Sequence, residues 1–202
     1  MSYWQYFTRY IISVLMRIKS QKRGGSGGTL WCMSVGDGEP LFLDHHVASI
    51  CKLCCTAKTP VRDTLDVWPR FPLVISDSTG LTEGVDNIVT ALERRDRVHA
   101  IHLIQANSSA VENVLAVMQE PFPELTFLQL LSYGEPVPTV PDSFLGGSFP
   151  RLRFLVFPGL PKLHLSATHL LVLRLSNIPH SGYISPYAMV SALSTLICLQ
   201  ML

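Results

Sequence analysis

Histidine and cysteine side chains are concentrated in the stretch DHHVASICKLCC at 44–55. The side chains that could bind a tetrahedral zinc ion are His45, His46, Cys51, Cys54 and Cys55. The C-x-x-C spacing of Cys51 and Cys54 is typical of zinc ligands, but no second C-x-x-C or H-x-x-x-H pair follows downstream. Because cysteine is also a common buried apolar residue, a structural role is favoured, and we predict neither a metal site nor a cofactor.

Two further segments carry residue types used in nucleophilic catalysis. GGSGG at 24–28 matches the G-x-S-x-G elbow of serine hydrolases, but Ser26 lacks the apolar strand before it and the helix after it that this elbow requires. The pentapeptide instead predicts a flexible linker. His180 and Ser181 in IPHSGY have no evident third orienting group, and the flanking proline and glycine favour a turn. We therefore expect that the protein is not an enzyme.

Composition and charge limit the classes of partner. Of the 202 residues, 48% are hydrophobic and 15% are charged, below the roughly 25% charged residues of an average soluble domain. The net charge of +1 creates no field that would favour nucleic acid. Five cysteines, an odd number, do not form the framework of a secreted disulfide protein. A reducing compartment, cytoplasmic or nuclear, is expected.

The N-terminal region differs from the rest of the chain. Residues 1–23 form a leader that is first apolar and then basic, and its apolar run falls below the roughly 20 residues that a membrane-spanning helix needs. A membrane role is therefore disfavoured, although a membrane-surface helix or a targeting signal in this leader stays open as an alternative. After the linker, we expect an irregular segment at 29–60 and a repeat domain at 61–202.

A pattern L-x-x-L-x-L recurs in the second half of the chain. Its copies are Val98, Ile101, Leu103; Leu125, Leu128, Leu130; Leu152, Leu155, Phe157; and Leu170, Leu173, Leu175, with Leu199 and Leu202 beginning a fifth. Successive first positions lie 27, 27, 18 and 29 residues apart, mostly near the period of about 20 to 29 residues in leucine-rich repeats. Because strand side chains alternate between faces, the second and third positions of each copy should share one core.

Helical periodicity fills the intervals between these strands. Apolar stripes at i, i+3, i+4 and i+7 occur in GVDNIVTALERR, SAVENVLAVMQ and SPYAMVSALSTL. The second helix should begin with a capping box of Ser109 and Glu112, and the third with Ser185 as N-cap before Pro186. PTVPDSFLGGSFP predicts only a turn or a single helical turn. The fold class expected is α/β, a leucine-rich-repeat solenoid of parallel strands with return helices, truncated within its last strand.

Several stretches resemble a known family. They are LCCTAKTPVRDTLDVWPRFPLVI, GVDNIVTALERRDRV, PFPEL, PDSFLGGSFPRLRFL and LPKLHLSATHLLVLRLSNIPHSGYISPYAMVSALSTL. Together they make residues 53–202 similar to fungal F-box proteins with irregular leucine-rich repeats. The resemblance implies a protein whose repeats hold a target while an F-box joins a cullin-type ubiquitin ligase. Residues 1–52 lack the F-box pattern, which begins near LPxE(L/I), so a fragmentary or decayed family member without a ligase role is the alternative.

Partner-binding residues are expected on the concave face of the solenoid, at the outward strand positions. The candidates are Ala100, His102, Phe127, Gln129, Phe154, Val156, Val172 and Arg174, with Met201 beginning the next strand. Stacked in register about 4.8 Å apart, they would place Phe127 beside Phe154. Aromatic residues and arginine are the usual anchors of protein interfaces, so an unidentified protein target is the predicted partner. Packing of the two phenylalanines under a neighbouring loop is the alternative.

Overall fold

A computed structural model of the chain describes residues 30–34, 49–55, 61–67, 70–76, 84–132, 140–141, 143–158, 169–176 and 185–201. The strands in this part of the chain are β1 (Leu30–Ser34), β2 (Ser49–Cys54), β3 (Leu73–Ser76), β4 (Val98–Ala106), β5 (Phe127–Ser132), β6 (Phe154–Pro158) and β7 (Val172–Ser176). The helices are α1 (Val61–Val67), α2 (Val85–Leu92), α3 (Ser108–Val117), α4 (Pro186–Ser194) and a 3-10 helix at Phe144–Gly147.

All seven strands form one sheet whose spatial order is the chain order. β1 pairs with β2 in antiparallel orientation, and every later pair from β2 to β7 is parallel. Parallel neighbours require a crossover, and helices α1, α2 and α3 and the 3-10 helix lie in successive crossovers of the chain. The fold is therefore α/β with a six-stranded parallel region. Two strands, β1 and β2, lie within the segment 29–60 that the sequence led us to expect as irregular.

The recurrent aliphatic triplets lie side by side, as predicted. Their second positions are paired in one row across four strands: Ile101, Leu128, Leu155 and Leu173. All four are at most 1% exposed, and the first position of each of these four triplets is equally buried. Leu175 is the exception among the third positions because it is only partly buried against the core. The apolar row extends into the earlier strands through Leu53 and Ile75, which the triplet pattern did not reveal.

The helices cover the face of the sheet to which these rows point. Ile88, Ala91 and Leu92 of α2 and Val111, Val114 and Leu115 of α3 are buried in the same apolar cluster as the strand residues. At the C-terminal end, Leu196 is 5% exposed and joins this cluster, with Met189 and Leu193 partly buried. The predicted stripes of α2 and α3 therefore face the core, and Leu193 and Leu196 of the third predicted stripe pack with it.

The start of α3 corrects one prediction. The capping box expected from Ser109 and Glu112 is wrong, because the N-cap is Asn107, whose backbone is extended. Its Oδ1 accepts hydrogen bonds from the backbone N–H of Ala110 at 2.8 Å and from Ser109 Oγ at 3.1 Å. Asparagine is at least as good an N-cap as serine, so the helix begins at the residue after Asn107.

Helix α4 and the short connection after β5 agree with the sequence. Helix α4 begins at Pro186, and the backbone N–H of Met189 donates to the carbonyl of Ser185 at 2.9 Å. The connection forms a single 3-10 turn, in which Leu145 has a φ of 53° and Gly146 a φ of 64°. The backbone N–H of Leu145 donates to the carbonyl of Met118 at 2.7 Å, so this turn is fixed to the end of α3.

Ion pairs join neighbouring crossovers, and the two residues of each pair are separated in the sequence by about one repeat. Arg94 pairs with Asp66, Arg95 with Glu120 at 3.2 Å, and Arg151 with Glu124, and the residues of each pair lie in consecutive modules. All of these side chains are substantially exposed. Because exposed ion pairs are worth at most about 1 kcal/mol each, the buried aliphatic rows contribute far more to stability.

Some predicted features lie outside the described residues. These are the leader 1–23, the linker 24–28, His45, His46, His180 and Ser181. Within the part of the chain that is described, no helix is long and apolar enough to cross a membrane.

Candidate protein-binding face

The face of the sheet opposite the core carries the outward strand residues, and we call it the open face. Its described members include Lys52, Val74, Ser76, Ala100, His102, Ile104, Phe127, Gln129, Leu131, Phe154, Val156, Val172, Arg174 and Met201. Val156 is buried and apolar, yet it does not belong to the core cluster, in agreement with this orientation. The buried helical residues all belong to the core cluster on the other side.

Two rows of paired residues run across the open face. The first row pairs Lys52, Val74, Ala100, Phe127, Phe154, Val172 and Met201, the last through a parallel bridge to Val172. The second row pairs Ser76, His102, Gln129, Val156 and Arg174. Every residue that the sequence placed at an outward position is therefore brought into the expected row, because the strands stack without slipping between β5 and β7.

Three rings form a continuous aromatic ridge over β4, β5 and β6. The rings of His102 and Phe127 are nearly parallel, at 13°, with centroids 5.9 Å apart. Phe127 and Phe154 are also 5.9 Å apart, with their planes inclined by 35°. All three side chains keep part of their surface exposed. The ridge therefore presents rigid aromatic surface with few rotatable bonds, which suits binding at low entropic cost.

Two of the predicted contact residues are nearly inaccessible. Gln129 and Val156 are each 5% exposed and lie between His102 and Arg174 in the second row. They have little surface to offer a partner, so they act as the floor that supports the ridge. Residues with more accessible surface flank them, and Arg174 is exposed.

The electrostatic environment keeps His102 neutral. Burial lowers the pKa of its imidazole, and the nearby positive charge of Lys52 lowers that pKa further. A neutral imidazole at pH 7 stacks on Phe127 as an ordinary aromatic ring.

The described cations of the open face are Lys52 on β2 and Arg174 on β7, with β3 to β6 between them. Among its described members there is no carboxylate. The sequence predicted Arg174 but missed Lys52, because β2 was expected to be irregular. The signal that could have revealed this strand is the alternation in Cys51-Lys52-Leu53, where a lysine stands between two apolar residues that are buried.

A polar cluster at the amino ends of the strands has a structural role. His99 Nε2 lies 3.2 Å from Thr126 Oγ1, and Arg97 Nε donates to the carbonyl of Phe71 at 3.2 Å. Burial is the main cause that lowers the pKa of Arg97, with smaller effects from neighbouring charges. These contacts satisfy nearly buried polar groups where consecutive strands begin.

Two of the candidate metal ligands, Cys51 and Cys55, lie in the core. Both are buried in the apolar cluster, as expected for small apolar residues. No group of three or more histidine, cysteine, aspartate or glutamate residues that could hold a metal ion occurs among the residues described.

Comparisons with known proteins give no match. No protein-family model fits the chain, and neither a curated protein sequence nor a solved structure is significantly similar to it. The function must therefore be inferred from the open face itself.

Proposed function

We propose that this protein is a leucine-rich-repeat protein-binding module that holds a target protein on its open face. The observation that carries the proposal is the partly exposed ridge of His102, Phe127 and Phe154, supported by a buried aliphatic spine on the other side of the same strands. Exposed aromatic surface on a rigid sheet is typical of interface anchors, and a stack of parallel strands presents it as a fixed template.

The chemistry of the open face supports binding rather than catalysis. Its described histidine, His102, stacks on Phe127, and the serine paired with it in the second row, Ser76, is only 9% exposed, so this pair of imidazole and hydroxyl offers a substrate little hydroxyl surface. General acid–base or nucleophilic catalysis needs such a pair at hydrogen-bonding distance. We infer that the face recognises its target through apolar contact and charge.

The resemblance to fungal F-box proteins with leucine-rich repeats suggests the biological setting. In that setting the protein would recognise targets for a cullin-type ubiquitin ligase, with the F-box supplied elsewhere. This step rests on family analogy and not on the open face. Affinity purification from the source cell, scored for cullin-ligase subunits, tests it, and a preparation free of these subunits would contradict it.

A double variant tests the binding proposal itself. Phe127→Ser with Phe154→Ser removes the ridge, so we expect captured target protein to fall to background while the circular dichroism spectrum stays unchanged. The matched control is Tyr187→Ser with Val190→Ser, which removes apolar surface from α4 at positions 85% and 66% exposed. Capture that survives the ridge variant, or that falls equally in the control, would contradict the proposal.

A further inference from the structure

The exposed face of helix α4 differs from the exposed faces of the helices before it. The exposed side chains of α1 include Arg62, and those of α3 include Glu112. On α4 the exposed side chains include Tyr187 and Val190, and residues 185–201 contain no charged side chain. A contiguous apolar surface of this kind commonly marks an interaction site.

The exposed residues of α4 lie in one stripe along the helix, which we call the outer stripe. Its members stand at i, i+3, i+4 and i+7 and are all exposed: Tyr187, Val190, Ser191 and Ser194. Ile197 is 79% exposed and continues the apolar surface beyond the end of the helix. On the inner side, Leu193 and Leu196 pack with the core cluster, so the protein holds the outer stripe in a fixed orientation.

The serine hydroxyl at the end of the outer stripe already has a partner within the helix. Ser194 Oγ donates a hydrogen bond to the carbonyl of Ser191 at 2.8 Å. Another surface can therefore cover this hydroxyl without leaving its proton unsatisfied. The outer stripe thus suits an apolar partner.

A second copy of the same helix matches the outer stripe in shape and in charge. In an antiparallel pair with a two-fold axis near Val190, Tyr187 of each copy lies against Ser194 of the other, because these positions are equally far from the axis. A large side chain then faces a small one. Since the stripe carries no charge, two copies meet without repulsion between like charges.

The exposed apolar area is sufficient for a weak but specific dimer. Tyr187, Val190 and Ile197 are 85%, 66% and 79% exposed. A covered aromatic side chain alone buries about 150 to 250 Å². Contributions from both copies, with the serines between these residues, bring the total near the roughly 1,000 Å² that a specific interface needs. We therefore expect a dissociation constant in the micromolar range.

We propose that α4 forms the interface of a two-fold symmetric dimer of this protein, in which it packs antiparallel against α4 of a second copy. Val190 lies close to Val190 of the second copy at the axis, and Tyr187 covers Ser194 of that copy. The inference goes beyond the proposed function, because α4 packs on the core side of the sheet and the open face takes no part in the contact.

Sedimentation velocity of the full chain over a wide range of concentration tests whether this dimer forms. The sedimentation coefficient of the wild type should rise with concentration and level off at the value of a dimer. Val190→Asp should weaken association at least about tenfold, because it brings two carboxylates together at the axis. The matched control is Val67→Asp, which makes the same exchange at an 84% exposed valine on α1 and should associate as the wild type does.

Four results of this experiment would overturn the proposal. A wild type that stays monomeric at every concentration would show that another segment of the chain or another protein covers α4. Growth beyond a dimer would show head-to-tail association instead of a closed pair. Unchanged association of Val190→Asp, or equal weakening by Val67→Asp, would show that the contact does not involve α4.

A mixture of two variants tests the symmetry of the contact. Val190→Asp and Val190→Lys should each sediment as a monomer, and an equimolar mixture should form a heterodimer because the carboxylate meets the ammonium group across the axis. Both variants change an exposed position, so their circular dichroism spectra should match that of the wild type. A mixture that stays monomeric would overturn the antiparallel arrangement.

Discussion

Phe127 and Phe154 are directly paired across β5 and β6, and their ring centroids lie 5.9 Å apart. Each phenylalanine follows, by two positions, the buried leucine that opens its triplet, Leu125 or Leu152. Two aromatic rings meet on the open face because the register of the buried face places them there. The core and the open face are thus formed by alternate residues of the same strands.

The two rings should stabilise each other. We expect a double-mutant cycle of Phe127→Ala and Phe154→Ala to show a favourable coupling of about 0.5 to 1.5 kcal/mol in the free energy of unfolding, as for other aromatic pairs. Urea denaturation of the four proteins measures it. The cycle of His102→Ala and Phe154→Ala serves as the control, with a smaller coupling, because the ring of Phe127 lies between them. Equal coupling in both cycles would contradict a direct contact.

The aliphatic spine should dominate stability. Leu128 is fully buried in the middle of its row, so Leu128→Ala should lower the free energy of unfolding by about 2 to 5 kcal/mol. Leu175→Ala should have a smaller effect because Leu175 is only partly buried. Chemical denaturation of both variants checks this order, and a reversed order would show that the core lies elsewhere.

Gly146 should tolerate no side chain. A Cβ there would lie 2.7 Å from Pro121 Cγ, and the φ of +64° is unfavourable for other residues. We expect Gly146→Ala to destabilise the protein by about 2 kcal/mol. Gly147 has a φ of +68°, but a Cβ added there would meet no atom within 4 Å, so Gly147→Ala should cost only the backbone strain, about 1 kcal/mol. Thermal denaturation compares the two, and equal melting temperatures would exclude the contact with Pro121.

His102 should make stability depend on pH. Because its pKa is lowered in the folded protein, the folded state binds fewer protons than the unfolded chain. The contribution of His102 is present above its unfolded pKa of about 6.5 and is lost as the pH falls through the folded pKa. When the pH is lowered from 7 to 5, the free energy of unfolding should therefore fall less in the variant His102→Phe than in the wild type. Urea denaturation across this range measures the difference, and parallel curves would contradict it.

Exposed apolar residues at the C-terminal end should limit solubility. Tyr187, Val190 and Ile197 are 85%, 66% and 79% exposed, and residues 185–201 contain no charged side chain. Such surface favours association with other apolar surface. We expect Val190→Lys with Ile197→Lys to reduce light scattering of concentrated solutions without changing the circular dichroism spectrum. Unchanged scattering would show that this surface is not responsible.

Sequence periodicity predicted the strands from β4 to β7 because each of them carries a complete triplet. The first and second residues of every such triplet are buried. It did not predict β3, in which only Leu73 and Ile75 follow the pattern, or β2, where a cysteine takes one of the inward positions. The partial burial of the phenylalanines could not be predicted either, because it depends on neighbouring side chains distant in the chain. The register of the open face followed directly from that of the buried face.

The orientation of β1 makes the two edges of the sheet different. β1 runs against its neighbour, whereas Met201 pairs in the common direction of the other strands. An additional strand with its crossover could lengthen the sheet on the side of β7, where Met201 already pairs, and would keep the same parallel crossover geometry. Adding one beside β1 would require a second reversal of the chain, so engineered extension of this protein has only one favourable side.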